Sequence, residues 1–417
     1  MLTKAPRGTR DILPEESFKW QYFEKIAINV AKSYGFEELR IPVFEHTDLF
    51  ARGVGESTDI VNKQMYTFED KGGRSLTLRP EGTASTVRSF IEHKMFNLPQ
   101  PVKMYYLGPM FRYENPQAGR YRQFHQFGVE LFGTLAPEAD VEVIILCLKI
   151  FESLGLKNLK LEINSVGCPS CRVGFQEDLK QYLGRNLKDL CSDCRQRYDQ
   201  NPMRILDCKN EKCNDLLGRD MPLLMENLCQ ECSDHFEKVK EMLTYAGESY
   251  EINPRMVRGL DYYTKTAFEI IASDIGAQSS IGGGGRYDGL VEECGGPSTP
   301  AVGFALGIER ILLTMEKQGV EFSDRDSVDY YLVHGGEEAK KECFKLLNEI
   351  RSKGRSALMD FEDKSFRAQF KKADKLNASY SVIIGEDELK RGKILLRNME
   401  DGKQEEFTSE EFIQVVS

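Results

Sequence analysis

Helix-like and strand-like patterns alternate along the first 165 residues. From Pro14 to about Tyr34, apolar side chains recur every four residues, which predicts an amphipathic helix. The recurring side chains are Phe18, Tyr22, Ile26 and Val30. A strand interrupted by Pro42 is predicted over Leu39–Glu45, and the proline favours an edge or an interface, because it cannot donate to a sheet ladder. The segment Arg74–Ser85 predicts a strand that leads into a helix.

The segment Phe111–Gly133 predicts two strands around a loop that contains Pro, Gly and Arg. Successive strand side chains point to opposite faces, so the second strand divides into two sets. The set that suits a core is His125, Phe127, Val129 and Leu131. The set that suits the floor of a pocket is Phe124, Gln126, Gly128 and Glu130. On the first strand, Arg112 and Glu114 share a face that suits an anionic, hydrogen-bonding ligand. The alternative is an ordinary hairpin with one solvated face.

Residues 166–245 differ in composition from the segments on either side. They are rich in cysteine and charge, and strand-like sequence resumes only at Arg258–Ile271, so an insertion is predicted. A glycine run then lies within Ser279–Leu290 and permits close approach of the backbone to a ligand. The segment Ala301–Met315 predicts a strand that leads into a helix, with Arg310 off its apolar stripe.

Beyond a predicted boundary near Gly319–Asp326, strand and helix patterns alternate again, which predicts a compact α/β domain. The length of 417 residues is enough for two to four domains. The net charge of −10 argues weakly against non-specific nucleic-acid binding, without excluding a local basic surface. No apolar run approaches the ~20 residues that a membrane span requires, and the N-terminal segment does not resemble a signal peptide. A cytoplasmic location and no membrane partner are therefore predicted.

Eight of the eleven cysteines lie between Cys168 and Cys232. Without an export signal, they are predicted to be thiols or metal ligands rather than disulfides. They form four pairs: Cys168 and Cys171, Cys191 and Cys194, Cys208 and Cys213, and Cys229 and Cys232. Paired cysteines at this spacing are typical of tetrahedral zinc sites. The eight thiols would hold two ions, or one ion with spare cysteines, and His235 is a further candidate ligand. Reduced thiols packed as small hydrophobes are the alternative.

Three arginines, Arg112, Arg258 and Arg310, lie in three separate motif-like segments with polar or glycine neighbours. Guanidinium groups match phosphate oxygens and stabilise the charge that develops at a transferring phosphorus. The sequence contains no GxxxxGK[ST], so a P-loop is excluded as their partner. Any one of these arginines would be weak support for catalysis, but together they favour phosphoryl chemistry.

Five motifs together resemble a known family. FRYE with the following loop and QFHQFGVELFG resembles motif 2 of the class II aminoacyl-tRNA synthetases, and GFALGIER resembles motif 3. LRPEGTA, RGLDYYTKTAFE and GGGGRYDGL are similar to signatures of the histidyl-tRNA synthetases. GTRDILPEE and the Pro42 segment, which resembles motif 1, extend the similarity to essentially the whole chain.

The resemblance implies an α+β fold: the class II synthetase antiparallel sheet flanked by helices, a helical insertion and a C-terminal mixed α/β anticodon-binding domain. The implied domains are a catalytic domain at 1–165 and 246–320, a cysteine-rich insertion at 166–245 and an anticodon-binding domain at 326–417. In the last of these, the basic helix that starts near Lys364 becomes a candidate RNA contact.

The family activity is ATP-dependent attachment of histidine to histidine tRNA through a histidyl-adenylate. It implies Mg²⁺ on ATP, a homodimer with motif 1 at its interface, and zinc, if bound, in a structural role in the insertion. The implied catalytic residues are Arg112 and Arg258, on the α-phosphate and the reacting carboxylate, and Arg310, on the γ-phosphate. The implied histidine-binding residues are Glu81, Thr83, Gln126, Glu130, Tyr263 and Tyr287. The implied ATP-binding residues are Arg112, Glu114, Phe124 and Arg310. The implied contacts with the tRNA acceptor end are Gln117, Arg120 and Arg122.

Two other functions compete with this interpretation. A regulatory paralogue of histidine biosynthesis would have a synthetase-like chain without aminoacylation, but such chains typically lack the C-terminal domain and parts of these signatures. A non-catalytic RNA-binding protein would have no use for the three arginines.

Overall fold

The computed structural model describes residues 4–55, 58, 60–208, 210–218, 220–273, 280–322 and 328–416. The chain divides into two units, Met1–Ser323 and Asp324–Ser417. Ser279 and the Asp326 end of the predicted boundary lie outside the described residues.

The helices and strands of the first unit alternate from its start. The helices are α1 Pro14–Ser33, α2 Thr47–Val54, α3 Thr83–Glu92, α4 Pro137–Ser153, α5 Pro169–Gly184, α6 Ser192–Gln200, α7 Glu211–Leu216, α8 Gln230–Tyr245, α9 Leu290–Glu293 and α10 Ile308–Lys317. The strands are β1 Glu37–Glu38, β2 Phe44–His46, β3 Tyr66–Glu69, β4 Ser75–Leu78, β5 Val102–Phe111, β6 Gln123–Phe132, β7 Leu159–Ser165, β8 Glu251–Ile252, β9 Thr264–Ala272, β10 Ser280–Arg286 and β11 Ala301–Gly307. One-turn segments of 3₁₀ or π type lie at Ile60–Gln64, Met95–Asn97, Leu187–Asp189, Pro202–Asp207 and Leu224–Asn227.

The main sheet of the first unit has the order β1-β5-β6-β11-β10-β9-β7-β8 within the described residues. Pairing is antiparallel from β5 to β7, which confirms the predicted antiparallel sheet. The two-residue strands β1 and β8 add a parallel pair at each edge. Helices α1, α4, α8 and α10 pack on the sheet around one apolar core, to which they contribute Phe23, Ile144, Val239 and Ile311. A separate small sheet has the order β2-β4-β3.

The predicted strand over Leu39–Glu45 is wrong for most of its length. The chain is extended only at β1 before it and at β2, which begins at Phe44. Between them, the buried guanidinium of Arg79 donates from Nη1 to the carbonyl oxygens of Ile41, at 2.7 Å, and Pro42, at 3.2 Å. A side chain therefore takes up carbonyl groups that a neighbouring strand would otherwise use.

The second unit contains α11 Glu337–Ser352, α12 Phe366–Lys375, α13 Glu386–Arg391 and α14 Ser409–Val415, with β12 Tyr330–His334, β13 Ala357–Met359, β14 Tyr380–Ile384, β15 Ile394–Asn398 and β16 Gln404–Phe407. Its sheet has the order β13-β12-β14-β15-β16. The first two pairs are parallel and the last two are antiparallel, as expected of a mixed α/β domain. Strand β16 and helices α13 and α14 were not predicted, because with four, six and seven residues they are too short to show a clear periodicity.

Candidate active site

A pocket of about 260 Å³ lies on the sheet where β6, β10 and β11 run side by side. The predicted site residues that line it are Glu81, Thr83, Arg112, Glu114, Arg120, Phe124, Gln126, Glu130, Arg258, Tyr263, Tyr287 and Arg310. They come from segments that are far apart in the sequence. Strand β6 places Phe127, Val129 and Leu131 in the core, and Phe124, Gln126 and Glu130 towards the pocket, as predicted. The prediction was wrong for His125, which is half-buried outside this core and contacts the Glu309 carboxylate.

The floor of the pocket depends on two glycines. A Cβ atom at Gly128 would lie 2.2 Å from the Tyr106 ring, and a Cβ atom at Gly303 would lie 2.0 Å from Oε2 of Glu130. Real side chains cannot approach so closely, so only glycine lets Tyr106 and Glu130 take these positions. The two glycines come together because β11 pairs with β6, where Gly303 is opposite Glu130.

One end of the pocket holds a buried carboxylate. Oε2 of Glu130 accepts a hydrogen bond from the Tyr287 hydroxyl, and burial raises the pKa of Glu130 to about 8 although this bond opposes the shift. Within the described residues, neither Oε1 of Glu130 nor Oε1 of Gln126 has a hydrogen-bond partner. Burial also raises the pKa of Tyr263, so its hydroxyl stays protonated. Unpaired buried acceptors are costly, so this end suits a ligand that brings N–H donors.

The three predicted arginines line the same pocket. Arg310 and Arg258 lie beside Ser280 and Gly283 of β10, whereas Glu130 lies further along, beside Gly303, which pairs with Gly285. Arg112 donates from Nε to the Pro80 carbonyl at 2.8 Å, and its guanidinium lies 5.3 Å from the centre of the Phe124 ring. Arg258 forms an ion pair with Glu269, and Arg310 donates from Nη1 to the Ser280 carbonyl at 2.9 Å. Burial lowers the pKa of Arg310, and the charge of Arg112 lowers it further. Like charges held together in a half-buried site attract an anion.

Glu81 is buried at the start of α3. Its carboxylate accepts hydrogen bonds from the backbone N–H groups of Thr83, at 2.7 Å, and Ala84, at 2.8 Å. Burial raises the pKa of Glu81, and these bonds oppose the rise. A carboxylate at a helix N-terminus is stabilised by the unpaired N–H groups there, so Glu81 has a structural role besides any contact with a ligand.

The loop between β5 and β6 lies beside the pocket. Glu114 forms an ion pair with Arg120, and the backbones of Gln117 and Arg120 are bridged. Arg122 donates from Nε to the Glu114 carbonyl at 3.2 Å and lies 3.8 Å from the centre of the Tyr113 ring. Gln117 and Arg122 do not line the pocket themselves, but each contacts a residue that does, Arg120 and Glu114 respectively.

Sequence reasoning missed three residues that shape the site. Glu269 pairs with Arg258, Tyr262 lines the pocket, and Glu309 accepts the backbone N–H of His125 at 2.9 Å. Glu269 is the one acidic residue of the apolar strand β9, and that irregularity was a usable signal. Glu309 directly precedes Arg310 in a motif that had already been identified.

The eight clustered cysteines form two quartets in the described part of the chain. The outer quartet is Cys168, Cys171, Cys229 and Cys232, and the inner quartet is Cys191, Cys194, Cys208 and Cys213. The sulfurs within each quartet lie within 4.8 Å of one another. The first and fourth cysteine pairs along the chain form one quartet, and the second and third pairs form the other. This pairing was not predictable from the spacing alone.

Hydrogen bonds and distances in the quartets match metal sites. Cys168 and Cys171 have their sulfurs 3.5 Å apart, and the backbone N–H of Cys229 donates to Sγ of Cys171 at 3.1 Å. Tetrahedral zinc with Zn–S bonds of ~2.3 Å places its sulfurs about 3.8 Å apart. Burial acts to raise the pKa of Cys168, but hydrogen bonds from the backbone of Cys171 and Ser170 lower it to about 7. His235 belongs to neither quartet, and its Nε2 lies 3.4 Å from Oδ1 of Asp140.

No helix in the described ranges combines the length and apolar character that crossing a membrane would need.

Comparisons with known proteins cover the whole chain. A model of the histidyl-tRNA synthetase family matches residues 8–311, and a model of the anticodon binding domain matches residues 329–417. A curated histidine–tRNA ligase from Natranaerobius thermophilus is 58% identical over 97% of this chain and 96% of its own length. The crystal structure of the apo histidyl-tRNA synthetase from S. aureus has a TM-score of 0.84 and 42% identity, and each chain is covered to 99%.

A third similar structure bears on the regulatory alternative. An ATP phosphoribosyltransferase regulatory subunit/histidyl-tRNA synthetase from Bacillus halodurans has a TM-score of 0.66 at 20% identity, over 92% of this chain and 98% of its own. At that identity the similarity shows a shared fold and nothing more about function.

Proposed function

The chain belongs to the histidyl-tRNA synthetase family, and from this premise we propose that it attaches histidine to histidine tRNA by way of a histidyl-adenylate. In the first step, a carboxylate oxygen of histidine bonds to the α-phosphorus of ATP, the bond to the bridging oxygen breaks and pyrophosphate leaves. In the second step, a hydroxyl of the terminal ribose of the tRNA attacks the acyl carbon, and AMP leaves. The observation that carries the proposal is one pocket that holds three arginines at one end and a buried carboxylate at the other.

The arginines are assigned to the phosphoryl step. Arg112 and Arg258 bind the α-phosphate and the reacting carboxylate, so they bring two anions together. They also stabilise the negative charge on the oxygens of the pentacoordinate phosphorus in the transition state. Arg310 binds the γ-phosphate and so orients pyrophosphate as the leaving group. Mg²⁺ bound together with ATP would offset the negative charge of its phosphates. Besides burial, the charge of Arg112 acts to lower the pKa of Arg310, and this supports the assignment, because a bound anion would offset it.

Histidine is recognised at the buried end. Glu130 and Tyr263 bind the two imidazole nitrogens, and the Tyr287 hydroxyl fixes the Glu130 carboxylate. Glu81, Thr83 and Gln126 bind the α-amino group. The Oε1 atoms of Glu130 and Gln126 support these roles, because both are buried acceptors to which no other described residue donates. A site built in this way rejects an apolar analogue by ~10⁴ or more, since its own polar groups would be stranded.

Adenine is placed against Phe124, with Glu114 near its amino group. The guanidinium of Arg112 lies over the same Phe124 ring, so the base and the α-phosphate would be held side by side. Binding ATP in this position would require Glu114 to loosen its ion pair with Arg120. We therefore expect the β5–β6 loop to change its internal contacts when ATP binds.

The tRNA is proposed to contact two parts of the chain. Its acceptor end lies along Gln117, Arg120 and Arg122, and its anticodon is read by residues 326–417, whose α12 begins beside basic residues. Residues 1–165 and 246–320 make the catalytic domain, and residues 166–245 the insertion. Since tRNA charging takes place where translation does, we propose a cytoplasmic enzyme. We also propose a homodimer, with the segment around Pro42 at its isologous interface.

Each cysteine quartet is proposed to hold one structural zinc ion. The four sulfurs of each group lie close enough to share an ion, and backbone N–H groups already donate to Cys171 and Cys213. Neither quartet lines the candidate active site, so zinc takes no part in the chemistry. Elemental analysis of the purified protein should give two zinc ions per chain, and a value near zero would refute the assignment.

The deciding experiment is pyrophosphate exchange into ATP, measured with each of the twenty amino acids in turn. Exchange with histidine alone would support both the activation chemistry and the specificity. Charging of histidine tRNA by the same preparation would then complete the proposal. No exchange with any amino acid from folded, metal-replete protein would refute it and favour the regulatory function.

A further inference from the structure

The backbone of the loop Arg258–Tyr263 is hydrogen-bonded to the cysteine-rich insertion. Strand β9 starts only at Thr264, so the backbone of this loop lies outside the sheet ladder. Three of its carbonyl oxygens accept hydrogen bonds from insertion arginines instead. Arg204 donates from Nη1 to the Arg258 carbonyl at 2.7 Å, and Arg172 donates to the carbonyls of Asp261 and Tyr263.

The Arg258 and Tyr263 side chains of this loop point into the candidate active site, whereas the Asp261 carboxylate accepts a hydrogen bond from Nδ2 of Asn201 in the insertion at 3.2 Å. Arg258 and Tyr263 both line the pocket, and the Arg258 guanidinium lies 5.4 Å from the centre of the Tyr263 ring. The backbone is thus fixed on the insertion side while the side chains that we assign to the reacting groups face the substrates. A shift of ~1 Å in such a segment is enough to cost 10²-fold in rate.

The two arginines are themselves fixed next to the cysteine quartets. Arg172 follows Cys171 of the outer quartet and also donates from Nε to the Val166 carbonyl at 3.0 Å. Arg204 lies in the turn Pro202–Asp207, which directly precedes Cys208 of the inner quartet. The apolar side chains of both regions share one core, in which Met256, Tyr262 and Tyr263 pack with cysteines of the two quartets.

We propose that Arg172 and Arg204 are positioning residues for adenylation, and that the metal-bound quartets act on catalysis by holding these two arginines. This inference rests on the proposed function and adds a route from the insertion to the reacting atoms. It does not require zinc or the insertion to touch a substrate. A planar guanidinium that donates to two carbonyls at once fixes their spacing, which an ammonium group cannot do.

Arg204 offers the cleaner test, because its bond to the loop is a single hydrogen bond. In Arg204→Met, kcat for histidine-dependent pyrophosphate exchange should fall about 10-fold, and histidine affinity measured by calorimetry should weaken about 5-fold. Arg204→Lys should recover most of both, since one N–H donor suffices. The matched control is Arg195→Met, because Arg195 donates to the Lys188 carbonyl inside the insertion and should leave both values unchanged.

Arg172 should behave differently, because it donates to three carbonyls. Arg172→Met should lower kcat about 100-fold, and Arg172→Lys should rescue little of the loss. Zinc content and thermal unfolding are measured on every variant. If Arg204→Met keeps wild-type kcat and histidine affinity, the proposal is refuted, and this holds even if Arg172→Met does not fold. Wild-type protein without histidine-dependent exchange would instead refute the proposed function.

The part that concerns the metal needs a double-mutant cycle. Cys213→Ser should reduce the zinc content to one ion per chain and lower kcat to a similar extent as Arg204→Met. If the inner quartet acts through Arg204, adding Arg204→Met to Cys213→Ser should change kcat by less than about 2-fold. If kcat of the double variant instead falls by the product of the two single effects, the quartet and Arg204 act independently. That result would overturn this part of the proposal.

Discussion

At the arginine end of the pocket, burial and the charge of Arg112 lower the pKa of Arg310, whereas at the opposite end Glu130 is buried with one oxygen unpaired. The arginines remain charged and half-buried, so the cost is mutual repulsion. Glu130 is almost completely buried, so its cost is the loss of water, and its pKa rises to about 8. Each end therefore carries an electrostatic cost in the free protein, and a different part of a ligand would reduce each cost.

The comparison predicts what kind of ligand satisfies both ends. The arginine end needs a group with several negatively charged oxygens, and the Glu130 end needs N–H donors in an otherwise closed space. ATP and histidine provide these separately, and their reacting atoms meet between the two ends. In many active sites, charged groups are arranged unfavourably in the free protein, and this free-energy cost is offset when the substrate binds. Substitutions at the two ends should therefore fail in different ways.

The largest effect is expected at the arginine end. Arg112→Ala should lower kcat/KM for histidine-dependent pyrophosphate exchange by about 10³-fold, because a preorganised cation at the α-phosphate is lost. Thermal unfolding should change little, since removing Arg112 also removes repulsion with Arg310. The exposed Arg185 provides a control of equal charge, and Arg185→Ala should retain full exchange. A fall of less than about 5-fold in Arg112→Ala would remove Arg112 from the catalytic set.

A smaller effect, and one confined to histidine, is expected at the Glu130 end. Glu130→Gln keeps the shape of the side chain but cannot become an anion, so histidine affinity should fall by about 100-fold while ATP affinity stays unchanged. Calorimetric titrations with each ligand separate the two. The exposed Glu138 gives the matched control, Glu138→Gln. Equal losses for histidine and ATP would mean that Glu130 supports the whole pocket rather than the amino acid.

Phe124 tests the region that joins the two ends. Phe124→Leu keeps an apolar side chain but removes the aromatic face, so the KM for ATP should rise about 10-fold, with the KM for histidine nearly constant. Phe344, an exposed aromatic residue of the second unit, supplies Phe344→Leu as the control. An unchanged KM for ATP would place the adenine elsewhere in the pocket.

The two ends also differ in how far the sequence could predict them. The parity of β6 placed Phe124, Gln126 and Glu130 on one face, because strand periodicity is a local property. Which residues stand opposite Glu130 is not local. Gly303 lies beside it only through the pairing of β11 with β6, and Tyr287 reaches it from the end of β10.

Missed features elsewhere have the same cause. The strand predicted at Leu39–Glu45 was displaced by the buried Arg79, which is about 40 residues away in the sequence. The two cysteine quartets are nested, and cysteine spacing alone left one ion or two equally open. Glu269 stood out in the sequence as a lone acid in an apolar strand, but only the tertiary contact identifies Arg258 as its partner. Local patterns predicted the elements, and tertiary contacts decided which partners they met.

The smallest expected effect concerns stability and follows from the raised pKa of Glu130. The folded protein holds the Glu130 proton up to a pH of about 8, whereas the unfolded chain releases it near the ordinary value of 4.5. The stability that comes from this proton is complete at low pH and is lost as the pH rises through that interval. Glu130→Gln does not titrate, so its Tm relative to wild type should rise by about 3 °C between pH 5 and pH 9. Parallel curves of Tm against pH for the two proteins would show that the pKa of Glu130 is not raised by folding. Burial of Glu130 would then carry no electrostatic cost, and the contrast between the two ends of the pocket would be refuted.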